Sequence, residues 1–235
     1  MTDDAIIVDG RRLTLKRRRN ARARRVVMRL DAAAGELRVT TPRGLGDARL
    51  RRFIEDHAGW IAEKLRAAPT PTTVAAGARL PFRGVATAIQ HDPTLGRRVV
   101  WCATDARIGV GGEAAHLPAR LAAWLKDQAR RDLSARAHAY AARLDRGPIR
   151  IRIADQRSRW GSCSSTGTLS FSWRLILAPD AVRDYVAAHE AAHLVEMNHS
   201  TAFWATLQGV YRDIDAAQAW LSEQGPDLRR YVFPG

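Results

Sequence analysis

Residues 184–200 read D-Y-V-A-A-H-E-A-A-H-L-V-E-M-N-H-S and hold three of the seven histidines of the chain. Pro179 and Asp180 suit the N-terminal end of a helix, so the stretch predicts a helix that begins there. Residues four apart share a helix face, which lets the imidazoles of His189 and His193 converge on one point. Glu190 projects about 100° away from His189, so its carboxylate can reach a metal-bound water without binding the metal.

This arrangement is typical of metal-assisted hydrolysis. Two neutral ring nitrogens hold one Zn²⁺, and a nearby carboxylate takes the proton from its bound water. A satisfied pair of core histidines is the alternative interpretation, and H-E-x-x-H arises by chance in only about one chain in a hundred or two of this composition.

A third ligand is expected at His199, six residues beyond His193. In an unbroken helix His199 would point about 240° away from His193, so we expect the chain to turn after Met197. Asn198 tolerates the left-handed conformation that ends a helix, and Ser200 can cap the next helix. Three histidines would leave the fourth position to water, as in catalytic zinc sites. An acid from the following helix is the alternative third ligand, with Asp213, Asp215 and Glu223 as candidates.

The segments before this stretch predict which helices and strands support the site. Apolar spacing predicts a long helix over residues 119–145, which Gly147 and Pro148 end. Alternating patterns at 149–153 and 168–177 predict two strands, interpreted as an antiparallel pair. Residues 5–42 and 77–115 read as short strands, with one helix between about Gly46 and Ala67. We therefore expect an α+β fold, with an N-terminal β-rich segment plus one helix at 1–118 and a catalytic domain at 119–235.

The composition indicates which classes of partner and which cellular compartment to expect. The net charge is +14, and nine basic residues and no acid lie between residues 11 and 25. One interpretation of this run is a solvent-exposed strand edge whose charge keeps the protein soluble. The other is a surface that faces phosphate or substrate, and nucleic acid is a candidate partner for it. Two cysteines, no signal-peptide pattern and no long apolar run predict a cytoplasmic protein that does not enter a membrane.

Several motifs together resemble the YgjP-like metallopeptidase-domain family, a relative of SprT-like zincins. They are R-W-G-S-C-S-S at 159–165, W-R-L-I-L-A-P at 173–179, Y-V-A-A-H-E-A-A-H-L at 185–194 and N-H-S-T-A-F-W at 198–204. The segment R-N-A-R-A-R-R-V-V-M-R-L and P-R-G at 42–44 resemble the opening of that family. The resemblance implies a zincin-like fold, zinc at His189, His193 and His199, and Glu190 as the catalytic base.

The sequence is compatible with more than one class of substrate. The resemblance implies a peptide or protein substrate, or a nucleoside triphosphate hydrolysed by the same metal site. A third hypothesis is a nucleic-acid-associated protein that acts on DNA-bound proteins. Candidate substrate-binding residues near the site are three arginines that can hold anions and one aromatic that is either a stacking platform or part of the core: Arg157, Arg159, Arg174 and Trp160.

Overall fold

The computed structural model describes residues 3–32, 35–156 and 159–234, with the side chains of Asp3 and Asp4 left out. It divides into two compact units, Met1–Pro71 and Thr72–Gly235. Both combine helices and sheets, so the predicted α+β class is confirmed. No helix among the described residues is both long and apolar enough to cross a membrane.

The first unit is a four-stranded sheet covered by two helices. Its strands are β1 (Asp3–Val8), β2 (Arg11–Arg19), β3 (Val27–Asp31) and β4 (Glu36–Thr41), in the order β1-β2-β4-β3. Alternate residues of β2 and β4 lie on one buried face of the sheet and form the core of this unit. Helices α1 (Asp47–Asp56) and α2 (Ala58–Ala67) add Leu50, Ile54, Ile61 and Leu65 to this core. The single helix predicted over 46–67 is wrong because the chain leaves helical geometry at His57, with φ −107° and ψ 11°.

The second unit begins with strands that were predicted to belong to the N-terminal part. After β5 (Thr72–Thr73), strands β6 (Arg79–Phe82), β7 (Val85–His91), β8 (Val99–Cys102) and β9 (Arg107–Val110) form a sheet in the order β6-β7-β9-β8. Its buried residues share one core with helix α3 (Leu117–Arg143). The compact units therefore divide at Pro71, whereas the sequence placed its boundary between residues 118 and 119.

A three-stranded sheet follows α3, and its topology differs from the predicted one. Strands β10 (Arg150–Ala154), β11 (Gly161–Cys163) and β12 (Thr168–Ser172) lie in the order β10-β12-β11. The predicted antiparallel pairing of the first and last is wrong, since β10 runs parallel to β12. The connection between them contains β11, which turns back and pairs antiparallel on the other side of β12.

The predicted strand at 168–177 is also shorter than expected. The chain leaves β12 at Ser172, whose hydroxyl accepts a hydrogen bond from the backbone N–H of Arg174 and caps a 3₁₀ helix, Trp173–Leu177. Ile176, assigned to the opposite face of a strand from Leu175 and Leu177, is buried together with them. Burial on all sides fits a helical turn inside the core, which an alternating pattern cannot show.

The remaining elements are the histidine-rich helix and the segments that follow it. They are α4 (Asp180–Ala192), α5 (Thr201–Val210), α6 (Ile214–Glu223) and β13 (Tyr231–Val232), which pairs with β5. Two further 3₁₀ turns precede α3, at Pro93–Leu95 and Ala114–His116, and a last one spans Gly225–Arg229.

A buried ionic network joins α3 to α4. The side chain of Arg183 is only 2% exposed and donates to Asp132 at 2.9 Å and Asp180 at 2.7 Å. Arg136 on α3 donates to Asp132 at 3.0 Å and to Asp184 at 2.8 Å. Burial alone would raise the pKa of Asp132, but the hydrogen bond from Arg136 and the charge of Arg183 hold that pKa below its ordinary value. Because charged groups that pair inside a protein accept few other geometries, the network fixes α4 against α3.

Candidate metal centre

Helix α4 carries the first two histidines on one face. Four of its alanines, Ala187, Ala188, Ala191 and Ala192, are buried, and their small side chains let neighbouring elements approach the helix closely. His189 and His193 lie one turn apart with ring centroids separated by 5.0 Å. The convergence expected from the spacing is therefore present.

The third histidine reaches this pair because the helix ends earlier than the sequence suggested. Helix α4 ends at Ala192, with His193 as its C-terminal cap, whereas a helix through Met197 was predicted. Asn198 is not among the residues with positive φ, so the left-handed turn predicted there is wrong. The chain instead turns directly after the helix, where the N–H groups of Leu194 and Val195 bond to carbonyls of its last residues.

His199 then lies beside the other two rings. Its Nε2 is 3.1 Å from Nε2 of His189, and one ring nitrogen from each histidine falls within 4.8 Å of the others. The predicted cap is present as well, because the Ser200 hydroxyl accepts the backbone N–H of Phe203 at the start of α5. The acids proposed as alternative ligands, Asp213, Asp215 and Glu223, are all described and none belongs to this cluster.

Each helical histidine has a hydrogen-bonding partner on its far ring nitrogen. Nδ1 of His193 lies 2.9 Å from the carbonyl oxygen of Glu196, an acceptor, so Nδ1 carries the proton and Nε2 is left as a lone-pair donor. Nδ1 of His189 lies 3.2 Å from the hydroxyl of Tyr185, which also accepts a hydrogen bond from Gln218 on α6 at 2.8 Å. Such outer partners orient imidazoles that bind a metal.

The electrostatics of the cluster favour neutral imidazoles at His189 and His193. Burial, followed by the nearby His193 and His199, lowers the pKa of His189 to about 4. Burial also lowers the pKa of His193. Three imidazole nitrogens that converge on one point are the donor set that Zn²⁺ takes in open sites, so the residues present fit a zinc ion.

Glu190 lies on the same helix and is buried without a partner. It is 6% exposed, and its Oε2 accepts no hydrogen bond from any residue that the structure describes. Burial raises its pKa to about 8, while the charge of Arg159 acts in the opposite direction. A buried carboxyl group without donors is costly, and groups held in this way are concentrated at functional sites.

The backbone of β11 closes one side of Glu190. A Cβ on Gly161 would lie 2.5 Å from both Cγ and Oε1 of Glu190, so only glycine leaves room for this carboxylate. The outer strand of the three-stranded sheet therefore runs directly beside the carboxylate.

Three of the four predicted substrate-binding residues are described, and their surroundings differ. Arg157 lies outside the described residues. Arg159 is exposed, and its charge reaches Glu190. Arg174 is held by protein acceptors, since it pairs with Asp155 at 2.9 Å and donates to two backbone carbonyls, those of Leu228 and Tyr231.

Trp160 is packed by the C-terminal part of the second unit. Its ring lies 3.2 Å from the position of a Cβ on Gly225, and the guanidinium of Arg229 stacks on it at 4.5 Å. The ring is half-buried and packs against the main core. These contacts fix the ring against the core, and the next residue in the chain is Gly161.

Three residues of this site were not predicted from the sequence. Tyr185 precedes His189 by one helical turn, a spacing that could have identified it. Gly161 lies in the R-W-G-S-C-S-S motif, and no local sequence signal predicts its contact with Glu190. Gln218 comes from another helix and has no local signal at all.

The chain is similar to a known protein family and to solved structures of other proteins. The model of a family described as "YgjP-like, metallopeptidase domain" matches residues 25–224. No match is found among curated proteins. Among solved structures, the chain is similar to the metallopeptidase zymogen jannalysin of Methanocaldococcus jannaschii, with 17% identity, 39% of this chain and 95% of that chain covered, and a TM-score of 0.36. It is also similar to the metallopeptidase zymogen abylysin of Pyrococcus abyssi, with 21% identity, 46% and 95% covered, and a TM-score of 0.32.

Proposed function

The chain belongs to the YgjP-like metallopeptidase-domain family, and from this premise we propose that it is a zinc-dependent peptidase with a zincin-like catalytic unit. In this proposal α3 backs the unit, the sheet β10-β12-β11 flanks it, and α4 is the active-site helix. The observation that carries the proposal is the convergence of three imidazoles beside a buried carboxyl group, whose Oε2 has no hydrogen-bond partner among the described residues. His189, His193 and His199 are the zinc ligands, and Glu190 is the general base.

The roles of the residues follow from their surroundings. Zinc held by the three histidines would supply a Lewis acid that lowers the pKa of water to about 7. Glu190 takes a proton from the attacking water and gives it to the leaving amine, and its buried position one residue after His189 suits both transfers. The partners of His189 and His193 keep both ring nitrogens aimed at the same point.

The sheet edge beside α4 suits a peptide substrate. Strand β11 pairs with β12 on one side and is the outer strand of the described sheet. An extended peptide can add to such an edge through backbone hydrogen bonds, which bind any sequence. Because Gly161 in this strand touches Glu190, a peptide paired with β11 lies next to the proposed base.

The nucleotide alternative has less support in the arginines. Phosphate binding requires guanidinium groups with unused donors, and those of Arg174 are directed at Asp155 and two carbonyls. Arg159 remains exposed near Glu190 and is the one described arginine of the predicted set that either substrate can use. In the peptidase, we assign Arg159 to a polar group of the bound peptide.

Zinc removal tests the proposed function. We expect the purified protein to bind about one equivalent of zinc, to lose hydrolysis of a protein panel after chelation, and to regain it on zinc addition. A nucleotide panel is run in parallel on the same samples. Hydrolysis of nucleoside triphosphates alone would establish the alternative, and failure to bind zinc by metal analysis would refute the site itself.

Removing the Tyr185 hydroxyl is expected to weaken zinc binding. With zinc held by its Nε2, His189 would carry its proton on Nδ1 and donate it to this hydroxyl, which Gln218 holds in place. We expect Tyr185→Phe to lower zinc affinity by about tenfold, the lower end of what outer partners contribute. The measurement is competition for zinc with a chromophoric chelator.

Tyr211→Phe is the matched control for this experiment. Tyr211 also packs on α4, but its hydroxyl donates to the carbonyl of Ala181 at 2.9 Å and not to a histidine. We expect its zinc affinity to equal that of the wild type. Equal losses in both variants would show that the helix, and not the orientation of His189, is affected.

A further inference from the structure

The first unit contains a groove lined by unpaired arginines. Arg24 and Arg25 come from the loop between β2 and β3, and Arg49 and Arg52 come from one face of α1. The half-buried ring of Phe53 lies among them, and the groove encloses about 500 Å³. We call this the arginine groove.

Some other basic residues of the same unit are held by protein partners. Lys16 pairs with Glu36 at 2.5 Å, and Arg17 is 12% exposed and bound to Asp47. Arg11 donates to the carbonyl oxygen of Leu65. The basic run at 11–25 thus contains side chains that stabilise the sheet and side chains that do not.

The four arginines of the arginine groove belong to the second kind. All are exposed, and their guanidinium groups make no ion pair or hydrogen bond with any residue in the described ranges. Asp56 also lines the groove, yet its carboxylate comes within 4.0 Å of none of them. Collecting like charges around a concave surface is unfavourable for folding, and it concentrates positive potential where an anion can enter.

We propose that the arginine groove binds the phosphodiester backbone of nucleic acid. Four guanidinium groups exceed what one phosphate neutralises, whereas a chain of phosphates offers one charge to each. Arginine matches phosphate oxygens with two parallel donors, and Phe53 provides an aromatic edge for a sugar or base. Arg22 and Arg43 are exposed and lie within two residues of groove residues in the chain, which extends the positive surface.

The test is the binding of a fluorescein-labelled 20-nucleotide DNA to the full-length protein, as a single strand and as a duplex, measured by anisotropy between 50 and 200 mM NaCl. The groove variant is Arg25→Gln with Arg52→Gln. The control is Arg130→Gln with Arg212→Gln, two exposed arginines of the second unit without side-chain partners in the described structure. Both variants lose the same charge.

We expect the groove variant to bind at least about tenfold more weakly and its salt slope to fall by about 2, one for each lost phosphate contact. The control should stay within about twofold of the wild type. The strand form that binds more tightly identifies the source of the phosphates. If the groove variant loses its circular dichroism signature, Arg24→Gln with Arg49→Gln replaces it, with the same expected result.

Three results would overturn the proposal. One is no binding to either DNA at 50 mM NaCl, and another is an equal loss in the groove and control variants, which indicates diffuse charge attraction. The third is displacement of DNA by polyglutamate at equal charge concentration, which assigns the groove to acidic polypeptides.

Discussion

Replacing Glu190 by glutamine is expected to abolish turnover while leaving the zinc content unchanged. The amide has the shape of the carboxyl group but cannot take a proton from water, and proton transfer of this kind contributes about 10²–10⁴-fold to rate. The zinc content is expected to stay at one equivalent because all three proposed ligands are histidines. Metal analysis and single-turnover kinetics on the same preparation measure the two quantities.

The same variant has an expected effect on stability in metal-free protein. Burial raises the pKa of Glu190 to about 8 in the folded state, above its ordinary value of 4.5. The folded state therefore favours the protonated acid, and this contribution to stability is lost as the pH rises from about 4.5 to about 8. Glu190→Gln cannot ionise, so after chelation we expect its melting temperature to exceed that of the wild type at pH 8 and to approach it at pH 5.

Two outcomes would contradict this account. Full activity in Glu190→Gln would remove the residue as the base. A wild-type melting temperature that does not change relative to the variant between pH 5 and 8 would show that the carboxyl group is already solvated or paired. Glu196→Gln is the control, because the side chain of Glu196 is less buried than that of Glu190. Glu196 contacts His193 through its backbone carbonyl, which the substitution leaves in place.

The helical part of the candidate site was predictable because one element contains it. His189, Glu190 and His193 lie within one and a half turns of α4, so their relative directions depend only on helix geometry. His199 was predicted to join them, yet the turn that brings it there was not. The helix ends at Ala192, and contacts that stabilise this end, such as the Nδ1 of His193 on the carbonyl of Glu196, appear only in the folded chain.

Strand direction was less predictable for a related reason. The alternation in residues 149–153 and 168–172 shows which faces are buried, and it is the same for parallel and antiparallel partners. The direction depends on β11, a strand of three residues that is too short to give a periodic signal. The ionic network of Arg183 and Asp132 was missed in the same way, since its members lie on different helices.

Adding a methyl group to Gly161 is expected to reduce turnover about 100-fold or more. The new Cβ would lie 2.5 Å from Oε1 and 2.7 Å from the carboxyl carbon of Glu190, closer than any stable contact, so the carboxylate must move. Displacing a catalytic group by about 1 Å costs on the order of 10² in rate. The backbone of Gly161 has no positive φ, so alanine is compatible with the strand and the loss is assigned to the displaced carboxylate.

Gly209→Ala distinguishes this effect from a general response to a larger side chain. Gly209 lies in α5, and a Cβ there meets nothing within 4 Å, so we expect wild-type turnover and zinc content. Gly161→Ala should also keep one equivalent of zinc, because the histidines are not the atoms it contacts. If Gly161→Ala retains full turnover, the carboxylate can work from a second position, and β11 does not determine where the base lies. If it loses zinc as well, the strand supports the metal ligands and the base together.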